Sequence, residues 1–207
     1  MIGDIRRLLL LPHIKVHNAN ALSSPFTIGF PAMTAWLGAV HALQRKVYAN
    51  GLTNVKFDSV AVVVHDMELQ TYKGVGDYVH SIIGTGNPLD KDGERSSFIE
   101  EARCHLDVSL LIEYLRISRE DEEALLEQVA HHLHTSMKMA GGDILSFQKP
   151  KLYRIEEGNN TDLHKLTRRL MPGYAIIERR ELMIEAMEQG QDAIAALLDY
   201  LAVHHIC

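Results

Sequence analysis

The chain has 207 residues, 46% of them hydrophobic, and a formal net charge of -6 with its 12 histidines counted neutral. That length fits one domain over residues 1–207 with ample apolar content for a buried core. The acidic balance argues against a protein that coats nucleic acid by neutralising phosphates, yet leaves room for a local basic groove.

Basic residues come in pairs, Arg6-Arg7, Arg45-Lys46, Arg168-Arg169 and Arg179-Arg180, while acid is concentrated in "SREDEEALLE". The two signs are therefore expected on different surfaces. Cys104 and Cys207 form no CxxC pair, which disfavours a cysteine zinc site and suits a reducing cytosol. The run "LLLL" before Pro12 is too short for a signal peptide or a membrane span. A soluble, cytoplasmic protein without membrane contact is expected.

A first strand is expected over roughly Leu8–His17, with Pro12 marking an edge position or a bulge. The crossover "NANALSSPFTIGFPAM" follows, much longer than the usual connection of about 2–6 residues. Phe26, Ile28 and Phe30 are expected to pin it to a core, and Pro31 suits the first turn of the next helix. In that helix Met33, Leu37, Val40, Leu43 and Val47 predict a core face. Thr34, Gly38, His41, Arg45 and Tyr48 make a polar stripe on another face.

"DSVAVVVHDMEL" lacks alternation and predicts a strand buried on both sides. After the glycine-rich stretch from Tyr72 to Gly93, "SFIEEARCHLDVSLLIEYL" alternates. Ala102, Cys104, Leu106 and Val108 face one way there, and Arg103, His105, Asp107 and Ser109 the other. "SREDEEALLEQVAHHLHTSMKM" is the clearest helix, capped by Ser118 with Asp121 and buried along Leu126, Val129, Leu133 and Met137. Gly141-Gly142 is expected to end it. "DILSF" and "YAIIERR" are both candidates for the closing strand, "KLYRIEEGNNTD" reads as loop, "LHKLTRRLMPG" as a basic segment, and "ELMIEAMEQGQDAIAALLDYLAVH" as a final helix. The order β-α-β-β-α-β predicts an α+β, ferredoxin-like or RRM-like fold with long loop insertions.

Several familiar motifs fail on inspection. "GVG" and "GTG" are not a dinucleotide fingerprint. Asp90, Asp92 and Glu101 occupy calcium-loop positions, but Arg95 stands where such a loop needs glycine. His131 and His134 share a helical face without a third ligand placed near them, so no metal site is expected. Asp66 and Asp107 are not spaced as an acid/base pair, and no nucleophile elbow, zinc-protease or Walker sequence is present. Neither a cofactor nor a catalytic residue is expected.

The stronger constellation is distributed over the crossover, the stripe with His41 and Arg45, the strand face with Arg103 and His105, and "TRRLMPG". Small residues admit a ligand to backbone N–H groups, asparagines offer donor and acceptor edges to bases, and a helix N-terminus attracts phosphate. His41 and Arg45, one turn apart, suit stacking on an unpaired base and phosphate contact. Together these point to RNA binding.

"LLLLPHIKVHNANALSSPFTIGFPAMTAWLGAVHALQRK" resembles the N-terminal signature of the Csy-two family, the Cas-five-type RAMP subunit of the type I-F CRISPR–Cas surveillance (Csy, or Cascade) complex. The resemblance continues through "NPLDKDG", "EEARCHLDVSLLIE", "MAGGDIL" and "LTRRLMPGYAIIERRELM" in the family's order. It implies an RRM-like RAMP fold and a non-catalytic role in antiviral defence, or in a CRISPR-associated transposon. Such a subunit holds the 5′ handle of the CRISPR RNA and pairs with the large Csy-one (Cas-eight-type) subunit. It adjoins the Csy-three (Cas-seven-type) backbone and meets target DNA through the complex. Family members are generally longer, with a C-terminal part beyond the helix that here ends in "LAVHHIC". The candidate RNA contacts are Asn18, Asn20, Ser23, Ser24, Gly29, Phe30, His41, Arg45, Arg168 and Arg169, with Arg103 and His105 in a second rank. Two rival expectations are a metal-independent RAMP endoribonuclease with His41 as general base, and a protein-only scaffold.

Overall fold

The computed structural model describes residues 5–24, 27–86, 89–94, 100–115, 117–156 and 160–201. β1 (Ile5–Asn20) leads through β2 (Leu22–Ser24) and β3 (Thr27–Ile28) into α1 (Met33–Ala49). β4 (Lys56–Leu69), the short β5 (Thr71–Tyr72), β6 (Ser81–Ile82) and β7 (Gly84–Gly86), and the long β8 (Glu100–Leu115) follow. Next come α2 (Asp121–Thr135), β9 (Lys138–Met139), β10 (Gly142–Ser146), β11 (Lys151–Glu156), α3 (Asn160–Leu170), β12 (Tyr174–Ala175), α4 (Arg180–Glu188) and α5 (Ala193–Leu201). The chain forms two compact units, Met1–Ala175 and Ile176–Cys207. Among the described residues no helix is long and apolar enough to cross a membrane.

The first unit is α+β. Its main sheet runs β12-β4-β8-β1-β10-β9, with β11 also on β1 and β7 on β8, all antiparallel. Both candidates for the closing strand are used, at opposite edges. "DILSF" pairs β1, whereas only Tyr174–Ala175 of "YAIIERR" pairs, against β4. "KLYRIE", expected as loop, is β11 on the N-terminal half of β1.

Pro12 is at a bulge in an interior strand, not at an edge. β11 pairs β1 as far as Leu10 and β10 begins at Lys15, so the missing N–H falls in the gap between them. The Pro12 carbonyl still accepts the Gln148 N–H at 3.0 Å.

The alternation of β8 holds as expected. Cys104, Leu106, Val108, Leu110, Ile112 and Tyr114 join the core beneath α1 and α2. Burial pushes the Cys104 thiol up to about 11, against a smaller opposing effect of Arg103. Tyr114 is pushed up to about 12 by burial and then by Glu122, whose carboxylate also pairs with Arg154 at 2.6 Å and ties α2 to β11.

The helix α1 is rotated from its expected position: Trp36, Ala39, Val40, Leu43 and Val47 are buried, while Met33 and Leu37 are exposed. Trp36 supplies more apolar area than either, so it sets which face turns inward. Pro31 lies just before the cap residue Ala32, not inside the first turn. β4 is buried at Phe57, Val62 and Val63, and its other residues are half-buried or exposed, so it is not buried on both sides along its length.

Ser118 caps α2 as expected, its hydroxyl accepting the Asp121 N–H at 3.2 Å and donating to the Asp121 carboxylate at 2.7 Å. Leu125, Val129, His132 and Leu133 form its buried face, with Leu126 at the margin. The glycines expected to end α2 instead serve the β9–β10 hairpin. Ala140 and Gly141 both take positive φ, 48° and 77°, as a tight two-residue turn requires.

Burial lowers the His132 pKa below its ordinary 6.5, helped by nearby His131 and Lys46, while Asn50 bonds its ring at 3.0 Å. The unfolded chain therefore binds the extra proton more readily as pH falls toward and below 6.5, and stability drops there. Urea midpoints at pH 7.5 and 5.5 are expected to differ more for the wild type than for His132→Gln; equal differences would reject His132 as a contributor.

In the second unit the expected single helix is two. α4 and α5 are separated by Gly190 in a left-handed conformation (φ 88°), and Asp192 accepts the Ile194 N–H at the start of α5.

Candidate nucleic-acid interface

The side of the sheet opposite α1 and α2 is apolar under α3, around Leu8 and Leu111, and polar around the two bulges of β1. β1 crosses it with two bulges, between Leu11 and Ile14 and between Val16 and Ala19, and each holds a non-glycine residue at positive φ. These are His13 (φ 46°) and Asn18 (φ 55°). Bulges re-aim side chains, and here they turn histidine and asparagine toward the outward residues of β8.

Around the second bulge, the His17 and His105 rings stack with centroids 4.3 Å apart and planes 15° from parallel. The Asn18 N–H donates to His105 Nδ1 at 3.2 Å. Gln70 Nε2 lies 3.1 Å from Nε2 of the same ring. The same Gln70 Nε2 donates to Asn18 Oδ1 at 2.7 Å. Arg103 reaches the Asn18 carbonyl at 3.4 Å and pairs with Glu101 at 2.6 Å. A shallow depression of about 290 Å³ opens beside this group, lined by Lys15, His17, Asp66, Glu68, His105 and Asp107. It offers stacked rings, hydrogen-bonding edges and charge of both signs.

Around the first bulge, Ser109 is fully buried and accepts the His13 N–H at 3.0 Å. His65 Nδ1 donates to the Pro172 carbonyl at 2.7 Å, so Nε2 accepts from the Ser109 hydroxyl at 2.7 Å. His13 Nδ1 lies 3.1 Å from Asp107, and the His13 and His65 rings stack at 4.1 Å. The segment after α3 reaches this point because residue 173 is glycine. A Cβ there would meet the Leu170 carbonyl at 2.5 Å and Val63 at 2.7 Å.

The structure divides the expected site residues among four places. Asn18, Asn20, Arg103 and His105 come together at the second bulge, since Asn18 and Asn20 belong to β1 rather than to a loop. The crossover is shorter than expected and contains the β2–β3 hairpin, where the Ser23 and Ser24 hydroxyls both bond Thr27. Phe30 stacks on Trp36 at 5.4 Å and pins the hairpin's exit, with Gly29 bonded to Ala21. Ile28, expected to pin it, is exposed, while Phe26 and Arg95 lie outside the described residues.

His41 and Arg45 are exposed on the outer side of α1, whose inner side packs the core, so they do not join Arg103 and His105. Arg168 and Arg169 are exposed on α3, whose Leu163 and Leu166 line an apolar groove over the sheet with Leu8 and Leu111. Sequence reasoning missed His13, His65 and Gln70 as members of a shared site. Alternation in "HIKVH" was the available signal for the strand β1 contribution.

Residues 9–207 match the family described as CRISPR-associated protein (Cas_Csy2). The chain is 36% identical over 201 residues to the CRISPR-associated protein Csy2 of Pseudomonas aeruginosa (strain UCBPP-PA14), covering 90% of this chain and 60% of that protein. It belongs to the Csy2 family. The chain thus spans about 60% of the length of the curated relative it matches. In this Csy2-family chain, four of the expected residues (Asn18, Asn20, Arg103 and His105) meet at the second bulge.

Proposed function

We propose that this Csy2-family chain is a non-catalytic RNA-binding subunit of a type I-F CRISPR ribonucleoprotein. It holds the 5′ handle of the guide RNA, pairs with the large Csy-one subunit, adjoins the Csy-three backbone, and meets target DNA only through the assembled particle. The observation that carries this reading is the stacked His17–His105 pair beside Asn18 and Gln70, with a shallow depression open beside it. Unpaired bases stack on such rings and bond to such amides, which is how RNA modules of this layout read single strands.

The strand order supports the finer fold assignment as well. Taking the long strands and β10 alone, the order β4-β8-β1-β10 with α1 and α2 on one face matches a split βαβ arrangement, which supports the ferredoxin-like RAMP reading. Asp66, Glu68 and Asp107 repel phosphate from the middle of the face, so bases are assigned there and the backbone to its rim, near Lys15 and Arg103.

The test is copurification. Coexpressed with the large subunit and a guide RNA, the chain is expected to retain the RNA and to crosslink, through residues of β1 and β8, to nucleotides of the 5′ handle. Assembly with the large subunit while no handle nucleotide crosslinks to this chain would favour a protein-only scaffold and reject the reading.

A further inference from the structure

We propose that His13, His65 and Asp107 form a binding site for a divalent transition-metal ion of the zinc class. Each offers a ligand atom, and these atoms lie within 4.8 Å of one another, near enough for one ion to gather with small side-chain rotations. The three come from β1, β4 and β8, adjacent strands of one sheet, so the backbone already supplies the convergence.

Three further features distinguish this cluster from histidines that merely share a surface. His65 is held with Nδ1–H on the Pro172 carbonyl, leaving Nε2 for an ion; ligating histidines almost always anchor their second nitrogen in this way. His13 is presented from a left-handed bulge, a conformation that costs energy in a non-glycine residue and is found where a side chain must be aimed. The rings stack 4.1 Å apart with His13 Nδ1 3.1 Å from the Asp107 carboxylate, so a single dication can meet two neutral imidazoles and one negative charge together.

On binding, the ion replaces the hydrogen bond between His13 and Asp107 and the one from the Ser109 hydroxyl to His65 Nε2. The neutral His13 ring moves its proton to the nitrogen facing away, so no oxidant, reductant or other reactant enters. Water completes the coordination. Two imidazoles and one carboxylate suit zinc and its cobalt or nickel surrogates, and disfavour magnesium and calcium, which prefer all-oxygen shells. The pair first suggested by the sequence, His131 and His134, is a poorer candidate. His134 packs on Phe147 and His131 sits edge-on to His132.

The experiment uses the tag-free 207-residue chain, stripped with chelator and titrated with Zn²⁺ by calorimetry and with Co²⁺ by visible absorption. One equivalent is expected to bind, with at least tenfold weaker binding in His65→Ala and in Asp107→Asn, and unchanged binding in His131→Ala. Far-UV circular dichroism confirms that the variants are folded; Asp107→Asn keeps the side chain's shape if His65→Ala does not fold. Absence of Zn²⁺ uptake by the wild type would overturn the proposal. So would unchanged affinity in folded Asp107→Asn, or loss of the bound equivalent in His131→Ala.

Discussion

Gly142→Ala is expected to destabilise the chain by about 2 kcal/mol, within the range of about 1–3 kcal/mol for overpacking. For a chain of this size that lowers the melting temperature by roughly 4–8 °C. A Cβ at residue 142 would fall 2.5 Å from the His17 carbonyl, 2.7 Å from the Ala19 nitrogen and 2.7 Å from Val16 Cγ1. Two of those atoms are backbone and cannot swing aside. Relief must come from moving β10 away from β1 at the second bulge, where Asn18 holds its left-handed turn. Gly38→Ala is the matched control. It lies exposed within α1 with nothing within 4 Å of its added Cβ, so it should stabilise by about 0.5–1 kcal/mol through helix propensity. Thermal melts of both variants check the pair. A Gly142→Ala melt equal to the wild type would mean that β10 does not approach β1 this closely.

The elements read best from sequence are those whose signal is local. In β8 a strict period of two separates Cys104, Leu106 and Val108 from Arg103, His105 and Asp107, and one face of the sheet is covered, so the alternation survives into the structure. In α2 the cap and the acidic first turn mark the start without reference to anything distant. β11 was not legible for the opposite reason. Leu152, Tyr153, Arg154 and Ile155 are all half-buried, so no burial contrast marks a face, and the segment is a strand only because the N-terminal half of β1 lies beside it. Periodicity alone does not fix the inward face of α1, because Met33 and Leu37 match the helical period as well as Ala39 does. The choice was made by the volume of Trp36 against the sheet.

The candidate site was half legible for the same reason. Asn18, Asn20, Arg103 and His105 were named from residue type, and pairing of β1 with β8 brings them together. Their separation from His41 and Arg45 depends on which side of the sheet α1 covers, which periodicity does not reveal. The first bulge is more remote still: His13 and Asp107 are 94 residues apart, and His65 and Ser109 44. Pairing of three strands and a glycine at residue 173 must all be in place before those groups meet.

Combining His17→Ala with Asn18→Gly is expected to weaken handle-RNA binding by about a hundredfold while leaving the fold intact. Loss of a stacked base costs about 1–3 kcal/mol and loss of an amide contact about 1 kcal/mol, and each 1.4 kcal/mol or so is tenfold. His17 is exposed and glycine keeps the positive φ that Asn18 adopts, so neither change asks the backbone to move. Truncating His105 would be less informative, since its ring also accepts the Asn18 N–H. On the far side of α1, His41→Ala with Arg45→Ala removes one fixed positive charge outside the proposed base-reading face. Any phosphate contact there would show as a salt slope shallower by about one, with a uniform loss across RNA sequences. Fluorescence anisotropy at several salt concentrations, with handle RNA and a scrambled strand, separates the two surfaces. If the His17/Asn18 variant binds handle RNA as the wild type does while the His41/Arg45 variant loses sequence preference, the polar sheet face is not where the RNA is read.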